Sequence, residues 1–133
     1  MADERLEVAD HLVSGARADL AAARELEATE DPRDNVLGFH LQQAVEKSLK
    51  AALVLTGSEV PPTHNLVELV DRLGNAGVEP PAEVTRAAAW LTAWGVLFDE
   101  NEGERDLDRD AGLEAAVAAV AFAQEAPANR RAN

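Results

Sequence analysis

Phe39-His40-Leu41-Gln42-Gln43-Ala44-Val45-Glu46-Lys47-Ser48-Leu49-Lys50-Ala51-Ala52-Leu53, followed by Thr63-His64-Asn65-Leu66, is the stretch that decides the fold. It reads as a strong helix, a loop and the start of another helix. At about 100° per residue, Leu37, Leu41, Ala44, Val45, Ser48, Leu49, Ala52 and Leu55 share one broad face. His40, Gln43, Lys47 and Lys50 fall on the opposite side, within an arc of roughly 80° by the same spacing. A helix that is apolar over half its girth, with a narrow stripe of His, Gln and Lys, is expected at the centre of a bundle. One seam is left for polar contacts.

Working outward, Leu6, Ala9, Val13, Ala16, Leu20 and Ala23 recur at helical spacing over residues 3–28. Glu30-Asp31-Pro32 ends that helix, and Asp31 or Asp34 is suited to cap the next, with Pro32 in its first turn. Gly57 supplies a stop near Thr56. Pro61-Pro62 stiffens a loop, Thr63 is an expected N-cap, and a third helix ends near Gly74 to Gly77. Pro80-Pro81 opens a fourth, carrying Trp90 and Trp94 one turn apart. A further helical block, Leu113 to Gln124, is nearly all Ala, Val and Phe. Residues 126–133 have the composition of a disordered tail. The expectation is an all-α, up-and-down bundle of about five helices over residues 1–125.

Composition supports that class and excludes several functions. Hydrophobic residues make up 47% of the 133 residues, much of it Ala, Leu and Val, and aromatics only 4%. This mix suits close-packed helices rather than a β-sandwich. There is no Cys, which removes disulfides, thiolate metal sites and thiol nucleophiles. Residues 1–20 hold no positive segment followed by an apolar run, and no apolar stretch approaches about 18 residues. A cytoplasmic protein with no membrane association is expected. The net charge of −13 argues against duplex DNA, which needs a basic face, although the 12 basic residues can still cluster locally.

The pattern F-H-x-Q-Q-A-V-E-K-x-L-K-A, then a loop and T-H-x-L-x-x-L, resembles the HEPN domain (higher eukaryotes and prokaryotes nucleotide-binding). The likeness spans roughly residues 10–125, with its specific motifs in 39–70. It implies a helical bundle, a homodimer, and an accessory or binding subunit whose partner is a small nucleotidyltransferase, as in toxin–antitoxin pairs, with nucleotide or RNA as ligand. Nucleolytic members carry an Arg followed about four to six residues later by His near the end of the fourth helix. Arg33 and His40 have that spacing but lie in the wrong helix. The matching region here, Trp94-Gly95-Val96-Leu97-Phe98-Asp99-Glu100, is followed by no His. Leu97-Phe98-Asp99 stands where many small relatives have Arg-Tyr-Pro, and Tyr is absent from the chain. The resemblance therefore assigns no catalytic residue and no cofactor.

The candidate ligand or partner site is His40, Gln43, Lys47, Lys50 and His64. Imidazole, amide and ammonium groups can converge on a phosphate or an acidic surface, and the start of the third helix adds backbone N–H groups. The plainer reading is a seam whose polar groups satisfy neighbouring loops and Glu46. A divergent metal-independent ribonuclease would use His40 or His64 as general base and Lys47 to stabilise the phosphorane. A purely structural dimer module is favoured if these side chains are dispersed or buried in ion pairs. Trp90, Trp94 and Leu97 form an apolar stripe that is either core or a dimer interface. Asp106-Leu107-Asp108-Arg109-Asp110 opens like a calcium loop, but Gly112 comes one position late and Val117 stands where the closing Glu belongs. No metal site is expected.

Overall fold

The computed structural model describes residues 2–29, 34–95 and 106–132. Five helices follow in order: α1 (Ala2–Glu27), α2 (Asp34–Thr56), α3 (Leu66–Asn75), α4 (Ala82–Leu91) and α5 (Arg109–Ala132). A 3₁₀ turn, Thr92–Gly95, follows α4. No strand occurs among the described residues. None of the described helices is long and apolar enough to cross a membrane.

The central position expected of the 39–53 helix is met. α2 packs on α1, α3, α4 and α5. Leu37, Leu41, Val45, Leu49 and Leu53 are fully enclosed, and they meet Leu20, Leu66, Leu69, Val84 and Leu91 in one core. α1 runs antiparallel to α2, with Arg5 beside Gly57 and Gly15 beside Lys47. Gly57 stops α2 at φ +80°, its N–H donating to Val54 O. The 57–65 connection then runs back along α2, so that His64 stands against Glu46 at mid-helix and α3 starts there. This return path creates the site.

Two local expectations change. The N-cap of α3 is Asn65, whose side chain accepts from Val67 N, while Thr63 Oγ1 accepts from Asn65 N one step earlier. The fourth helix does not run on through Trp94. Thr92 Oγ1 donates to Ala88 O at 2.7 Å and accepts from Leu66 N at 3.0 Å, and the chain tightens into the 3₁₀ turn. That tightening carries Trp94 into the core, where it is 4% exposed.

At the other end, Asp34 anchors the start of α5. Arg109 Nε donates to Asp34 Oδ1 at 2.9 Å, and Asp108 Oδ1 accepts from Ala111 N. Asp108 thus acts as a helix cap in the segment that opens like a calcium loop. α5 is helical to Ala132, through the segment whose composition reads as a disordered tail.

Candidate functional site: a polar seam with two buried carboxylates

The five expected residues are brought together, but in two groups, and each group is organised by a carboxylate that the stripe did not include. Asp19 of α1 stands between His40 and Lys47. His40 Nδ1 is 2.9 Å from Asp19 Oδ1, and Lys47 Nζ donates to Asp19 Oδ2 at 2.6 Å. The aliphatic stem of Lys47 crosses α1 at Gly15, where an added Cβ would lie 3.2 Å from Lys47 Cδ. Gly15 makes room for the lysine to reach its partner.

Glu46 organises the second group. Lys50 Nζ donates to its Oε2 at 3.1 Å, and His64 Nδ1 is 2.9 Å from its Oε1. Gln42 Nε2 donates both to Glu46 Oε1 and to the backbone oxygen of His64, which ties the returning loop to α2. Gln43 Nε2 donates to Gln42 Oε1 at 2.8 Å, so the fifth expected residue joins this group through its neighbour. Gln42 is fully buried and Glu46 only 4% exposed. The 3₁₀ turn closes over them, with Gly95 so near that a Cβ there would lie 2.9 Å from Gln42 Cδ.

The electrostatic consequence differs from a free basic stripe. Two lysines face two carboxylates, so these four charges cancel within the seam. The Lys50 side chain is 17% exposed and that of Lys47 33%, whereas the His64 ring is 77% exposed. Accessible hydrogen-bonding capacity is therefore concentrated on His64 and Lys47. The start of α3 does not add the donors expected of it. The N–H groups of Asn65, Leu66 and Val67 are taken by Thr63 Oγ1, Thr92 Oγ1 and Asn65 Oδ1. These bonds leave fewer first-turn N–H groups to hold an anion.

Asp19 and Gln42 are the site residues that sequence reasoning missed; Glu46 was named there only as a partner of the seam's polar groups. A signal existed for Asp19. It lies three residues after Ala16 and four before Ala23, on the buried stripe of α1, where a charge is costly unless paired.

The expected interface residues separate. Trp94 packs inside the protomer against Gly38, which removes it from an intersubunit contact. Trp90 is half-buried, packed against the same core. Leu97 and Arg33 lie outside the described residues, as does the acidic run 99–105.

The fold is a five-helix bundle whose central helix carries His, Gln and Lys toward a returning T-H-x-L loop. A HEPN domain model matches residues 9–125, and the chain belongs to the HEPN domain family. No curated protein and no solved structure matches the chain. The family is nucleotide- and RNA-related.

Proposed function

We propose that this protein is a non-catalytic HEPN-type binding subunit, acting as a homodimer in the cytoplasm. Its seam of His40, Gln43, Lys47, Lys50 and His64 receives a nucleotide, an RNA or the acidic surface of a small nucleotidyltransferase partner, as in toxin–antitoxin pairs. One observation carries this reading. Both lysines and both histidines are held by Asp19 and Glu46. The seam thus offers fixed hydrogen-bond donors rather than the surplus positive charge that a pentacovalent phosphorane requires.

Two expected results follow. In a titration with nucleotide, RNA and a candidate nucleotidyltransferase, Lys47→Ala/Lys50→Ala weakens binding by about tenfold and flattens its salt dependence. Asp19→Asn does the opposite for an anion. It releases His40 and Lys47 from their counter-charge, so affinity rises by several-fold while stability falls. An affinity unmoved by either change sinks the binding reading.

The ion pairs also favour a second reading, a purely structural dimer module in which the seam only joins α1, α2 and the loop before α3. Under that reading both variants change stability alone.

Catalysis is tested directly. Purified protein leaves RNA uncleaved above background, because its surface is acidic and no Arg–His motif follows the fourth helix. The Nδ1–carboxylate contacts of His40 and His64 are of the kind that orient a general base. Cleavage abolished by His40→Ala or His64→Ala would therefore establish the ribonuclease instead.

A further inference from the structure

The outward face of α5 carries a surface that the seam does not use. Val117 is 38% exposed, and Ala121 one turn later is also exposed. Together they form a low ridge between two clefts. On one side Arg17 and Arg24 of α1 line the cleft, and on the other Asp110 and Glu114 of α5 line it. None of these four charges has an ion pair among the described residues. α5 runs parallel to α2, with Gly112 beside Leu41 and Ala123 clustered with Leu55, and hence antiparallel to α1, so Arg24 lies toward the Asp110 end of the ridge.

We infer that this face is the contact between two copies of the chain. A two-fold axis lying along the α5 ridge sets Val117 against Val117 and exchanges the flanks. The Arg17/Arg24 flank of each copy then covers the Asp110/Glu114 flank of the other. A surface with opposite charges on opposite sides of an apolar ridge is complementary to itself under that operation. Copies of a chain with net charge −13 repel one another over most of their surface. A face that offers two uncommitted arginines and their acidic complements is where that repulsion turns to attraction. The inference rests on the dimeric part of the reading above and not on the anion-binding part.

The test is sedimentation velocity on the full chain across a concentration series. Wild-type protein is expected to be dimeric. Arg24→Glu and Glu114→Arg each weaken the dimer by about tenfold or more, and the combined variant recovers wild-type association. Val117→Asp dissociates the dimer. All these positions are exposed, so each variant keeps its helical far-UV spectrum. Wild-type protein that is monomeric at about 100 µM overturns both this surface and the dimeric reading. A dimer indifferent to the reversals, or one lost in both single variants and not recovered in the combined one, overturns this surface alone.

Discussion

Glu46→Ala lowers the free energy of unfolding by about 3 kcal/mol, more than any single cation of the seam can account for. Glu46 accepts from Gln42 and Lys50 and contacts His64 Nδ1. Removing the carboxylate leaves Gln42, which is fully buried, with one donor fewer satisfied, and leaves the largely enclosed Lys50 ammonium without its counter-charge. Breaking one side of a buried pair typically costs about 3–5 kcal/mol. The low end applies here, because the exposed His64 ring rehydrates freely. Glu46→Gln keeps an acceptor for Gln42 and loses the charge, so it falls between wild type and Ala. Urea unfolding monitored by far-UV signal measures both. A midpoint for Glu46→Ala within about 0.5 kcal/mol of wild type would show that the network is solvated and contributes little. His64 offers a second readout. With Glu46 gone, the 57–65 connection retains the Gln42 hold on His64 O and loses the side-chain one, so amide exchange there accelerates.

Gly38→Ala also destabilises, and its sign depends on another residue. Gly38 lies inside α2, where Ala is intrinsically favoured by about 1 kcal/mol. A Cβ at this position, however, would stand 2.5 Å from Trp94 Cε3 and 2.7 Å from Cδ2. The indole is rigid and buried, so either the ring or α2 must move, which costs about 2–3 kcal/mol. The collision outweighs the propensity, and the net loss is about 1–2 kcal/mol. In a Trp94→Leu background the collision disappears, and the same Gly38→Ala change becomes neutral or stabilising. Thermal or denaturant unfolding of the four proteins in this cycle gives the coupling between positions 38 and 94. Additive effects would show that the ring does not press on α2.

These two cases mark where reading along the chain succeeds and where it stops. The apolar face of α2 was legible because periodicity is local. Leu37, Leu41, Val45 and Leu49 recur at helical spacing whatever they pack against, and the same holds for Leu20 in α1. The Gly57 stop was legible because a positive φ belongs to the residue itself. The N-cap of α3 was misplaced by two residues because Thr63 and Asn65 both have the side chain for it. The choice falls to Asn65 once Leu66 N is taken by Thr92, a residue 26 positions away.

The stripe of His40, Gln43, Lys47 and Lys50 was correctly read as one helix face, and membership of the HEPN family was already visible in its motif. What the stripe does electrostatically was not readable from that face. A helical wheel places side chains on their own helix and so shows the Glu46–Lys50 pair, whereas Asp19 comes from α1 and His64 reaches Glu46 from the returning loop. Asp19 is 21 residues from His40 and 28 from Lys47, and His64 is 18 from Glu46. Those separations close only because α1 lies antiparallel on α2 and the 57–65 connection doubles back. Trp94 follows the same logic. Its spacing from Trp90 marks an apolar stripe, but the direction of that stripe depends on the turn at Thr92, set by one hydroxyl bridging α4 and the start of α3. Sequence alone determined the helices, their buried faces and the family, because spacing and turn chemistry act over a few residues. The tertiary structure alone decided the pairing of charges and the burial of Trp94, because those depend on which distant elements the packed core brings within a few ångströms.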